Sequence, residues 1–206
     1  MPGAAAACAL GFAPHSGWAA VVILGGPVAA PSVLAREQLE LADTQLEGSR
    51  QPYHTLAELP LAEAQRRLAR FEESAARLAL KQLRTLLARM AASGYEARGA
   101  ALLDSAGRSG VSLKAILASH ALIHAADGNH FRAALAATCE ALGLPLSRIA
   151  QRELTARAAA ALRQSAARVT AAAAVMGSGL GPPWGADQKS AALLAWLELA
   201  KVATQG

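Results

Sequence analysis

The stretch Gly11–Gly26, GFAPHSGWAAVVILGG, constrains this chain more than any other, because it has the pattern of two apolar strands joined by a short polar turn. A first apolar run ends at Phe12 and Ala13, and Pro14-His15-Ser16-Gly17 carries turn chemistry. Trp18 to Leu24 is then an aromatic and β-branched run closed by Gly25-Gly26-Pro27. An opening β-hairpin is predicted. With 206 residues the chain has the length of one domain with a sizeable core.

The residues that follow extend this beginning. Pro31 to Ala42 alternates Val33, Ala35, Leu39 and Leu41 with Arg36, Gln38 and Glu40, which suits a third antiparallel strand with one wet face; a helix is the alternative. Asp43 to Leu59 has no sustained period, contains Gly48 and Pro52, and reads as a long connection. Pro60 opens a helical pattern that reaches Met90 without glycine or proline, with Leu61, Leu68, Phe71, Ala75, Leu78, Leu83, Leu86 and Leu87 at helical spacing. Glu63–Arg67 and Glu73–Arg77 are i,i+4 pairs in the favourable order on it.

Further on, Ala97 to Asp104 reads as a buried strand ending on a carboxylate, and 105–110 as a glycine and serine loop. A helix is predicted over Val111 to Ala126, stopped by Asp127-Gly128-Asn129, with another amphipathic segment from His130 to Leu142. Leu146 to Ala150 suits a short fifth strand, Glu153 to Met176 an alanine-rich helix, and Asp187 to Ala203 a closing helix. GSGLGPPWG, between those two helices, cannot be regular structure, and Pro182-Pro183-Trp184 either packs down or faces a partner.

Composition narrows the class. The chain is 53% hydrophobic and 17% charged, with a mean hydropathy of +0.26, but alanine supplies much of the apolar count and buries little area per residue. No apolar stretch approaches the roughly 20 residues that span a bilayer, so no membrane association is expected. Met1 to Leu10 has no basic residue ahead of Cys8, unlike a secretory signal, and the expected location is the cytoplasm. Cys8 and Cys139 have no metal-site spacing and read as buried thiols.

The net charge of +5 is unevenly placed. Residues 1–59 carry two basic and five acidic side chains, residues 60–93 seven and three, and residues 141–176 five and one. The strand-rich half is therefore acidic and two helical stretches are basic. Arg66, Arg70, Arg77, Lys81 and Arg84 form a stripe on the long helix, either a solvated face or a surface for nucleic acid.

The order of three strands, a helix, a strand, helices, a strand and terminal helices resembles the ribonuclease H-like superfamily. Two local patterns carry the likeness further: LGFAPHSGWAAVVI is similar to the first hairpin of the Holliday-junction-resolvase branch, and GADQKSAALLAW to its last helix. The resemblance implies an α/β fold: a mixed five-stranded sheet, three antiparallel strands then two parallel, flanked by helices. It would form a single ribonuclease H-like domain over 1–206 with a C-terminal helical extension from about residue 153.

Nucleases of that superfamily hold two divalent metals in a carboxylate cluster that orients water and stabilises charge on the scissile phosphate. The resemblance places Ala13 where the first-strand aspartate belongs, and no other acid lies between Met1 and Arg36. Asp104 matches a fourth-strand acid and Asp187 the last-helix acid. Each has a plain alternative, Asp104 ending a strand and Asp187 capping a helix. His15, at the hairpin turn, is a candidate ligand or proton shuttle, or an exposed turn residue.

The residues after the fourth strand offer a second constellation. Leu113, Leu117, His120, His124 and Asp127 succeed one another at spacings of four, three, four and three on one helical face. His120, His124 and Asp127 form a candidate zinc or iron site, though Ala121 stands where the HExxH motif has glutamate; hydrogen-bonded core histidines are the alternative. His130 follows closely.

The expected function is that of a ribonuclease H-like protein that has lost the usual cluster and binds nucleic acid. One alternative is a divalent-metal hydrolase or nuclease built on Asp104, Asp187 and the histidines. Another is an assembly protein that forms homo-oligomers through its alanine-rich helices.

Overall fold

The computed structural model describes residues 5–105 and 110–205. β1 (Ala6–His15) and β2 (Trp18–Gly25) form the opening hairpin. The strands reach further into the turn than the sequence pattern implies: His15 pairs with Trp18, and only Ser16 and Gly17 form the loop. Gly17 takes φ +89°, a conformation closed to most side chains, and its carbonyl accepts from the backbone N–H groups of Leu41 and Ala42. That contact ties the end of β3 (Ser32–Glu40), the third antiparallel strand, to the turn.

β4 (Tyr95–Asp104) then lies parallel to β1 on its other side, and β5 (Leu146–Ala150) parallel to β4, giving the order β3-β2-β1-β4-β5. This is the mixed five-stranded sheet expected. β1 and β2 are buried on both faces, which is why they read as continuous apolar runs rather than alternating ones. Cys8, Leu10, Phe12, Val21, Ile23 and Leu102 point to one face, and Ala9, Ala13, Ala20, Val22, Leu24 and Ala101 to the other.

The first face is covered by α2 (Leu61–Ala92) and α4 (His120–Ala141). α2 is the 32-residue helix that starts after Pro60, and Ala75, Ala79, Leu83 and Leu86 bury its inner side. The second face is covered by α5 (Gln151–Leu162), α6 (Ala166–Val175) and α7 (Ala186–Gln205). α7 crosses β1 so closely that a Cβ on Gly11 would lie 1.9 Å from the Ala191 carbonyl oxygen. No described helix is long and apolar enough to cross a membrane.

Several local expectations are corrected. The connection over 43–59 contains a short helix, α1 (Pro52–Leu56). The helix expected over 111–126 and the segment expected from His130 are divided elsewhere: α3 (Leu113–Leu117) ends before Ser119, and α4 runs unbroken through Asp127-Gly128-Asn129. Asp127 does not stop the helix because its carboxylate is engaged by α1, accepting from the Tyr53 backbone N–H and the His54 ring. A mid-helix glycine costs about 1 kcal/mol, which burial of Phe131, Leu135 and Cys139 on the next turns outweighs.

The helix expected over 153–176 is broken at Arg163, which takes φ 51°, and restarts at Ser165, whose side chain accepts from the Arg168 N–H as an N-cap. Arg77 bonds Asp43 at 2.9 Å rather than Glu73, whereas the Glu63–Arg67 pair forms as expected. The loop expected over 105–110 lies, for residues 106–109, outside the described residues.

The segment before α7 is packed down. Apart from one 3-10 turn, Ser178–Leu180, it is irregular, and the Arg36 guanidinium donates to the carbonyls of Gly181 at 2.7 Å and Pro183 at 2.8 Å, and to those of Leu180 and Pro182 at 3.4 Å. The Trp184 indole N–H donates to the Ala173 carbonyl. α7 starts with the Gln188 side chain accepting from the Gly185 N–H, half of a capping box, so Asp187 is not the capping residue.

Candidate functional site

β1 and β4 run parallel and end at the same edge of the sheet, so Ala13, His15 and Asp104 are brought to one rim. Ala13 is 1% exposed and packs beneath α7 with Ala20 and Val22. Asp187, in the first turn of α7, accepts a 2.8 Å hydrogen bond from His15 Nε2, and the His15 ring stacks on Trp18 with centroids 4.5 Å apart. These two predicted residues are brought together.

Asp104 is not. The pleat that turns Ala13 and Leu103 toward α7 turns Asp104 toward α4, where it accepts from the Ser105 N–H and lies 3.8 Å from Arg148. It lines a cavity of about 650 Å³ with Tyr53, Asn129, His130, Arg132 and Arg148. Burial lowers the Arg132 pKa, opposed by the Asp104 charge. His130 is 6% exposed, and its Nε2 has no hydrogen-bond partner among the described residues. Burial holds the His130 pKa down against the opposing pull of Asp127 and the Phe71 carbonyl.

His120 and His124 of α4 do converge, with a residue the sequence did not single out. His54 on α1 meets His120 and His124, the ligand nitrogens of all three lying within 4.8 Å of one another. Ring centroids are 4.4 Å apart for His54–His124 and His120–His124, and 5.7 Å for His54–His120. Asp127, the third member expected, is 3% exposed and stands behind the cluster, bonded to His54 Nδ1 at 2.5 Å and to the Tyr53 N–H at 2.7 Å. His54 lies in a segment with no periodicity, and only its type marked it.

The basic stripe is formed. Arg66, Arg70, Arg77, Lys81 and Arg84 are exposed along about 27 Å of α2, at 1.5 Å per residue. Arg77 is paired with Asp43, whereas Arg66, Arg70, Lys81 and Arg84 have no acidic partner among the described residues. Glu73 shares the stripe.

No protein-family model matches the chain, and no curated protein matches its sequence. Solved structures do. Thermus thermophilus RuvC matches with a TM-score of 0.53 at 13% identity, over 96% of this chain and 96% of that one. T. thermophilus RuvC in complex with Holliday junction substrate matches with a TM-score of 0.52 at 13% identity, over 96% and 95%. The chain has the ribonuclease H-like fold of these structures.

Proposed function

We propose that this chain is a ribonuclease H-like protein that binds nucleic acid and does not use the fold's two-metal cleavage. The observation that carries the reading is Ala13: at the middle rim of the central strand stands a methyl group, 1% exposed under α7. Two-metal chemistry needs several anionic oxygens around one space. Asp187 is instead tied to His15, and Asp104 faces the opposite side of the sheet, beside Arg148.

Binding is supported by the unpaired basic residues of α2 and by the Holliday junction substrate held by one of the RuvC structures. Phosphates recognise Lys and Arg by charge, and binding releases counterions. With Arg66, Arg70, Lys81 and Arg84 each neutralising one phosphate, the log–log salt slope would be about −3 to −4.

The test is fluorescence anisotropy with a four-way junction, a duplex, single-stranded DNA and RNA, from 50 to 200 mM salt. The expected result is binding that weakens on the order of 100-fold across that range. Combined charge reversal, R66E/R70E/K81E/R84E, abolishes it. Absence of binding at low salt sinks the binding half of the reading. Junction cleavage with Mg²⁺ that is lost in Asp104→Asn or Asp187→Asn sinks the other half.

A further inference from the structure

The geometry points to a transition-metal site of three histidines, His54, His120 and His124, on the outside of the helical layer formed by α1 and α4. The ion it would take is Zn²⁺ or a similar first-row divalent cation, because three imidazoles and no thiolate form a set suited to those metals.

The placement follows from local structure. His120 and His124 stand one helical turn apart at the start of α4, so their rings leave the helix on the same side. α1 lays His54 across them, and the three rings meet at steep angles of 67° to 89° rather than stacking. A tetrahedral ion with Zn–N bonds near 2.0–2.1 Å separates its ligand nitrogens by about 3.4 Å. Nitrogens within 4.8 Å of one another would close to that spacing around the ion.

The second observation is Asp127. Its buried carboxylate engages His54 Nδ1 and leaves Nε2 as the nitrogen free for a metal. A carboxylate behind a ligating histidine fixes the ring's tautomer and orientation. Its second hydrogen bond, from the Tyr53 N–H, holds the backbone that carries His54. Core packing does not explain the cluster, since His120 and His124 are exposed and their side chains make no hydrogen bonds among the described residues. Three protein ligands leave a fourth position to water on the open side. An ion there would clamp α1 to α4, and it would polarise that bound water.

The experiment uses the full chain without a polyhistidine tag. Co²⁺ is titrated while the visible d–d bands are recorded, and Zn²⁺ is then competed against a chromophoric chelator. The expected result is one ion per chain with bands of tetrahedral intensity, bleached by Zn²⁺, and a rise in Tm on adding Zn²⁺. His120→Ala and His124→Ala each weaken Zn²⁺ binding at least 100-fold. Asp127→Asn weakens it about 10–100-fold. Both histidine variants remove exposed rings, and circular dichroism checks that they fold. A cysteine-free variant, C8A/C139A, binds as wild type does. The inference is overturned if wild type shows no saturable one-to-one binding, if H120A/H124A binds like wild type, or if the cysteine-free variant loses binding.

Discussion

The carboxylate of Asp127 accepts the ring N–H of His54 across the junction of α4 and α1, at 2.5 Å, and from the same buried position also takes the N–H of the preceding residue. A polar link of this kind holds a five-residue helix that could not persist alone, since isolated helices of that length are unstable in water. Asp127→Ala, measured in EDTA so that no metal contributes, is expected to lower stability by about 1–3 kcal/mol by leaving a buried donor unsatisfied. Urea denaturation reads the loss. Amide exchange over residues 52–57 should accelerate, and exchange in β1, which follows global opening, should accelerate by the lost global stability.

Gly11 sets the distance between α7 and the sheet. Its absent side chain is where the Ala191 carbonyl lies, so Gly11→Ala must push the helix away from a strand buried on both faces. Overpacking of this kind costs about 1–3 kcal/mol, and a backbone obstacle places it at the upper end. A denaturation midpoint equal to that of wild type would show that α7 does not sit this close.

Arg36 holds four consecutive carbonyls of the segment that leads into α7. A lysine keeps the charge but has no planar fork to span them. Arg36→Lys is expected to lose about 1 kcal/mol and to make the 177–185 segment the first site of limited proteolysis. Equal cleavage rates for both proteins would mean that the clasp does not order the segment.

Both cysteines are buried, and burial raises the Cys8 thiol from 9.0 to about 11 and the Cys139 thiol from 9.0 to about 12. A nearby Glu96 adds to the shift at Cys8. Between pH 9 and these values the folded chain binds more protons than the unfolded chain. Stability therefore falls as pH rises through that window and is unaffected by these groups below it. The denaturation midpoint of wild type should decline above pH 9, and Cys8→Ala should decline less steeply. At pH 8 neither thiol should react with a disulfide reagent until denaturant is added.

The sheet was readable because β1 and β2 are apolar on both faces and end in glycine-rich turns; burial and turn chemistry point the same way there. Helix limits were less readable wherever a side chain acted at a distance. Asp127-Gly128-Asn129 has the chemistry of a helix stop, yet Asp127 spends its oxygens on α1, 73 and 74 positions away in sequence. At Ser165 the N-cap signal was present but hidden among alanines that favour helix on both sides. Two of the three clustered histidines share a helix and were visible by spacing, whereas His54 arrives through tertiary packing that no local period encodes. The separation of Asp104 from Asp187 likewise depends on pleat parity at the end of β4, where a single residue decides the face.

β1 has a hydrogen-bonded neighbour on each side and a helical layer over each face. Its amides can open only when the whole sheet opens, whereas α1 can detach without disturbing any strand. The molecule thus has a mechanical gradient, hard at the central strand and soft where His54 sits. A ligand captured at the soft end would quench motion rather than reshape the fold.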